Sequence, residues 1–153
     1  MLTPEALTAQ LEVVEDALGK VQKGYFEDPV NRDYSTTIDG FITLAGFPKS
    51  KALTIASFKL STDAKMDVDV GKGFGDALTT RAKQAVLGES IEELQHIVTA
   101  GHLLGLDTHP DYAHVLKDTN WDLQRLEVQN GIGADFESVI DKLKPPYRGT
   151  LNM

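Results

Sequence analysis

Leucine and valine recur near the start of the chain at alternating four- and three-residue steps: Leu7, Leu11, Val14, Leu18 and Val21. Such steps place all these side chains in one narrow stripe of an α-helix. Thr3 is suited to cap that helix, Pro4 to its first position, and Glu5 to the end where the helix dipole favours an acid. The stripe has two readings, an edge of the core or a pairing face between subunits.

The helical period lapses over residues 24–49, which read as an irregular connector. Tyr34–Leu44 has room for one short strand, because Thr37, Ile38, Phe41, Ile42 and Leu44 tolerate extended backbone. Leu53, Ala56, Leu60 and Ala64 make a helical stripe after Ser50, although Leu53, Ile55 and Ser57 also alternate as a strand would. A helix from Ser50 to Lys65 is favoured, and strand or helix stays open over 36–62. The run Asp67-Val-Asp69-Val-Gly71-Lys-Gly73-Phe-Gly75 reads as a hinge-like turn. It lacks the glutamate of a calcium loop, since Leu78 stands at the twelfth position.

Asp76 opens a long helix to about Leu104, with Ala82, Ala85, Val86, Ile91, Leu94, Ile97 and Val98 as its buried stripe. Thr108 and Pro110 open another, which ends near Gln129 before the capping run Asn130-Gly131-Ile132-Gly133. A short helix over Asp135–Leu143 stops at Pro145-Pro146. The pattern predicts a mainly α protein, an antiparallel bundle of four to five helices. Residues 1–144 form one helical domain and 145–153 an extended C-terminal arm.

Composition narrows the chemistry. The chain has 153 residues and no cysteine, so thiolate metal sites and disulfides are excluded. Its net charge of −8 is spread evenly and no Lys/Arg cluster appears, which argues against sequence-specific nucleic-acid binding. An acidic surface suits a protein that lines a passage for nucleic acid without adhering to it. The N-terminal stretch lacks the basic start and apolar run of a signal peptide, and no segment reaches the ~20 apolar residues of a membrane span. A cytoplasmic protein, or one built into a particle assembled there, is expected.

All four histidines, His96, His102, His109 and His114, fall within one acidic stretch. In Glu93-x-x-His96 and Asp111-x-x-His114 an acid precedes a histidine by three residues, so each pair shares a helix face. Two such pairs on neighbouring helices are the donors of a carboxylate-bridged metal bundle, which also needs glutamates from two other helices. The competing reading is of solvated helix faces and loop histidines. His114, Asp118, Trp121 and Arg125 recur at helical spacing, and Trp121 with Arg125 suits either a ligand grip or a protein interface.

From Gln84 to Tyr147 the chain partially resembles the all-α nucleoside triphosphate pyrophosphohydrolases. Ala85-Val-Leu-Gly-Glu89-Ser-Ile-Glu92-Glu93-Leu94 is similar to that family's first acidic helix. Asp118-Thr-Asn-Trp121 sits where its second motif falls, and Gly131-Ile132 with Lys142-Leu143-Lys144…Tyr147 is similar to its ending. Val115 and Val139 stand where the family's glutamate and asparagine are expected. The resemblance implies a Mg²⁺-dependent hydrolase in which Glu89, Glu92, Glu93 and Asp118 hold metal and Trp121 or Arg125 holds substrate.

The reading favoured by the sequence is different: a non-catalytic assembly protein with no cofactor. It would form homo-oligomers through Leu7, Leu11, Val14 and Leu18, with Trp121 and Arg125 as a further contact. Its C-terminal arm, through Tyr147, Arg148 and Leu151, would reach a neighbouring protein. Small acidic helical proteins with trailing arms resemble virus-particle connectors such as head–tail adaptors in architecture.

Overall fold

A computed structural model describes residues 3–131. Among these the chain is helical throughout, with six α-helices and no strand: α1 Pro4–Val21, α2 Tyr34–Ala45, α3 Lys51–Met66, α4 Val68–Leu87, α5 Ile91–Leu103 and α6 Ala113–Gln129. The mainly α bundle read from the sequence is borne out, and within the described residues six helices stand where the pattern predicts four. The expected helix over 135–143 and the arm over 145–153 lie outside the described residues.

α1 begins as the sequence predicts, with the Thr3 hydroxyl accepting from the Ala6 N–H at 3.1 Å and Pro4 in the first turn. It runs directly into a π-helical turn, Gln22–Phe26, which buries Gly24 and Tyr25. The expected connector over 24–49 is thus largely helical, and the strand within Tyr34–Leu44 is instead α2. Asp33 caps α2 by accepting from the Thr36 N–H at 3.1 Å. The reason for the error is burial: α2 touches α1, α3, α4 and α5, and Ile38, Phe41, Ile42, Leu44 and Ala45 are all buried. A helix enclosed by four neighbours keeps only a narrow polar face, here Ser35, Asp39 and Thr43, and its β-branched and aromatic residues then favour a strand reading.

The expected turn at 67–75 is the start of α4, with Asp67 as its cap (2.9 Å from the Asp69 N–H). Its glycines serve close packing, because Tyr34 carbons occupy positions 2.6 Å from where a Cβ on Gly73 would lie. A Cβ on Gly75 would meet Tyr112 at 2.5 Å. Asp76 is no cap; it lies inside α4 and accepts from the Tyr112 hydroxyl at 2.7 Å.

The predicted long helix to Leu104 is two helices. They part at Gly88-Glu89-Ser90, where Glu89 takes a φ of 53° and Ser90 caps α5 by accepting from the Glu93 N–H. The helix expected from Thr108 begins at Ala113, after a 3₁₀ turn at Leu106–Thr108. Ser50 caps α3 as expected (3.1 Å from the Ala52 N–H), and Gly131 takes the positive φ of 66° that suits the end of α6. One core runs through all six helices, with Tyr25, Phe41, Phe74, Leu60, Leu94 and Leu126 fully enclosed.

Candidate functional site

The most connected polar feature joins four helices. Arg81 on α4 donates from Nη1 to Asp39 Oδ1 on α2 and from Nη2 to Glu93 Oε1 on α5, both at 2.5 Å. Lys20 on α1 reaches the other oxygen of Asp39 at 2.6 Å. Burial opposes the Arg81 charge, but the bonds to Glu93 and Asp39 outweigh it and raise its pKa above the ordinary value. Burial likewise pushes the Asp39 carboxyl up, and the bonds from Lys20 and Arg81 more than reverse that. Glu93, a predicted metal ligand, is thus held by an arginine.

The acid–histidine pairs do not converge. Glu93 and His96 border a cleft of about 470 Å³ with Arg81, Glu92, Thr43 and Phe47, and the His96 ring lies against Gly46. His114 lines a different cavity, of about 550 Å³ between α4 and α6, with Lys83, Asp118 and Asp122. The Asp111 backbone N–H donates to His109 Nδ1 at 3.1 Å, and that ring lies beside Tyr112. His102 pairs with Asp107, 2.9 Å apart. Four histidines from one short stretch of sequence thus have four separate surroundings. Among the described residues no group of three or more His, Asp or Glu is placed to hold a metal ion.

The acids of the pyrophosphohydrolase resemblance are also dispersed. Glu89 occupies the turn between α4 and α5 rather than a helix face, and Glu92 is exposed on the α5 side. Asp118 lies in the α4–α6 cavity, not in the cleft that holds Glu92 and Glu93. Trp121 and Arg125 do associate: the guanidinium carbon lies 6.0 Å from the ring centroid, and Arg125 also reaches Asp122 at 3.7 Å. Both are half-buried on α6. Tyr147, Arg148 and Leu151 lie outside the described residues.

The α1 stripe is graded. Val21 is fully buried, Val14 and Leu18 are half-buried, and Leu7 and Leu11 stand open at 47% and 55% exposure. Leu11 and Val14 form one wall of a groove of about 630 Å³. Its other wall is the turn from α2 into α3, with Phe47, Pro48 and Ala52 as apolar lining and Lys49 and Lys51 as its cations.

Pattern reading missed Arg81, Asp39 and the two lysines. A weak signal existed for the first two. Asp39 interrupts the apolar run from Thr37 to Leu44, and Arg81 borders the buried Ala82, so each charge adjoins the core and needs a partner. Lys49 and Lys51 carried a weak signal too, since each flanks the Ser50 cap where the helix dipole favours an acid. Among the described residues no helix is long and apolar enough to cross a membrane. No family model, curated protein or solved structure matches the chain.

Proposed function

We propose that this chain is a non-catalytic assembly protein that associates with further copies of itself through α1 and docks a neighbouring protein through its C-terminal arm. The observation that carries this is the open end of the α1 stripe, with Leu7 and Leu11 exposed on a helix whose other end is core. Fully burying an exposed leucine contributes about 1.5–3 kcal/mol, and covering the exposed half of Leu7 or Leu11 about half of that. The stripe is thus a continuous apolar strip that the described residues cover only at Val21 and, in part, at Leu18 and Val14. The dispersal of the histidines and acids leaves the metal-bundle and pyrophosphohydrolase readings without a comparable supporting geometry. Rings of small acidic subunits around a nucleic-acid passage are one assembly that the charge of −8 suits.

Light scattering on the purified chain across a range of concentrations, with and without Mg²⁺, tests the reading. A defined oligomer indifferent to Mg²⁺ is expected, and Leu7→Asp with Leu11→Asp reduces it to monomer without loss of helicity. Deleting Tyr147–Met153 lowers the mass while the body stays folded; unaltered assembly of that variant removes the arm from the proposal. A monomer at every concentration sinks the whole reading.

A further inference from the structure

The assembly reading leaves open which surface receives α1. We infer that the groove beside Phe47 takes α1 of a second copy, with Lys49 and Lys51 of one molecule facing Glu12 and Glu15 of the other. The inference rests on the assembly reading and gives it a specific contact.

Shape and polarity come first. Leu11, exposed, and Val14, half-buried, are both a wall of the groove and members of the α1 stripe. A second α1 seated there packs stripe against stripe, and a two-fold arrangement makes both contacts at once. Charge then selects the occupant. Glu15 lies one helical turn after Leu11, and Glu12 is its neighbour three residues back, so an acidic edge runs beside the stripe. The opposite lip of the groove is cationic, in a chain whose net charge is −8. Among the described residues none of Glu12, Glu15, Lys49 and Lys51 takes part in an ion pair within the chain.

The lysines have a further peculiarity. Lys51 is the first residue of α3 and Lys49 precedes its cap. Cations there face the positive end of the helix dipole, which is unfavourable by a few tenths of a kcal/mol or more per charge. Their position is thus poor for the isolated helix and good for an acidic partner. The same fact makes the test clean, because acids in their place improve the start of α3.

The experiment is sedimentation equilibrium of the full chain in three forms: the natural sequence, Lys49→Glu with Lys51→Glu, and Glu12→Lys with Glu15→Lys. Each reversed form is expected to self-associate at least about tenfold more weakly, since the rim attractions of both contacts become repulsions. An equimolar mixture of the two reversed forms recovers the natural affinity, because acidic α1 then meets basic groove and basic α1 meets acidic groove. Recovery in the mixture establishes contact between molecules, which no change in folding reproduces. If the natural chain associates but the reversals leave its affinity unchanged, or the mixture stays weak, this inference fails and the assembly reading stands. If the natural chain never associates, both fail.

Discussion

Arg81 and Asp39 lie in direct contact although they are far apart in sequence, the Nη1 hydrogen of one donating to Oδ1 of the other at 2.5 Å. Through this pair α4 is tied to α2, and through the second arm of the guanidinium to Glu93 on α5. Arginine suits the position because its planar fork offers parallel donors to two carboxylates and stays charged at any relevant pH. Burial is only partial, with Arg81 exposed at 26% and its partners at 36% and 30%. The bonds therefore orient helices more than they add stability.

Arg81→Met keeps the aliphatic stem and removes the donors. Asp39 retains Lys20, but Glu93 loses its partner beside the core. The variant is expected to lose about 1–3 kcal/mol, the usual consequence of leaving one half-buried charge without its partner. Urea titration followed by circular dichroism measures it. A loss under about 0.3 kcal/mol, the scale of an exposed pair, refutes the bridging role.

Gly40 sets the distance between α1 and α2. A Cβ there would lie 2.4 Å from the Ala17 carbonyl oxygen and 2.9 Å from Lys20 Cβ, and the first of these is backbone that moves only with its helix. Gly40→Ala is expected to cost about 1–3 kcal/mol as an overpacked site, despite alanine's better helix propensity. A variant as stable as the natural chain shows that α1 shifts freely over α2.

Glu89 is the one non-glycine residue with positive φ among those described, at 53° in the turn between α4 and α5. Side-chain residues in that region carry roughly 1 kcal/mol of strain. Glu89→Gly is therefore expected to raise the midpoint of thermal unfolding by a few degrees. The same variant abolishes any metal-dependent hydrolysis if Glu89 is a ligand, so one protein tests strain and chemistry together. Unchanged or lowered stability contradicts the strained turn.

How far the sequence discloses this fold depends on how each helix is enclosed. Helices with one solvent face and a capping residue are legible: Thr3 with Pro4 marks α1, and Ser50 marks α3. α2 is not, because enclosure by four neighbours narrows its polar face to Ser35, Asp39 and Thr43, and the β-branched and aromatic residues between them then resemble a strand. The glycines of α4 mislead for another reason. Gly71, Gly73 and Gly75 look like turn residues, yet a Cβ on each would meet an atom within 2.7 Å, so they are small because neighbours press against them. Nothing local distinguishes a glycine kept for its dihedral freedom from one kept for its lack of a side chain.

The candidate chemistry was less legible. Spacing within one helix places Glu93 beside His96, but α6 begins only at Ala113, so Asp111 lies in the turn before it and does not share a helix face with His114. Spacing is also silent on which way two successive helices face. The break at Gly88–Ser90 and the late start of α6 at Ala113 set those directions. The ion bridge of Lys20, Asp39, Arg81 and Glu93 spans four helices, and no single-helix period contains it. The exposed leucines of α1 were visible as a stripe, while their exposure follows from the arrangement of the other described helices, which pack against α1 towards its end rather than its start.

Acid and alkali are expected to act on different parts of the molecule. The Thr36 backbone N–H bonded to Asp33, the Tyr25 hydroxyl bonded to Asp63, and Lys20 with Arg81 overcoming burial at Asp39 each hold a carboxyl below its ordinary range. Native carboxylates that protonate later than unfolded ones stabilise the fold above the unfolded value of about 3.9. That contribution disappears as pH falls from there through the lower folded values. Burial, reinforced by hydrogen bonds to Asp63 and Asp76, pushes the Tyr25 and Tyr112 hydroxyls up, Tyr112 to about 12. Here the native state keeps its proton longer. The stabilisation is complete below about pH 10 and is lost as pH rises from there towards 12. Unfolding free energy measured by urea titration is thus expected to be level through neutrality and to fall at both ends. Asp39→Asn flattens the acid limb and Tyr112→Phe the alkaline one. If Tyr112→Phe leaves the alkaline limb as steep as before, the Tyr112–Asp76 contact does not protect that proton.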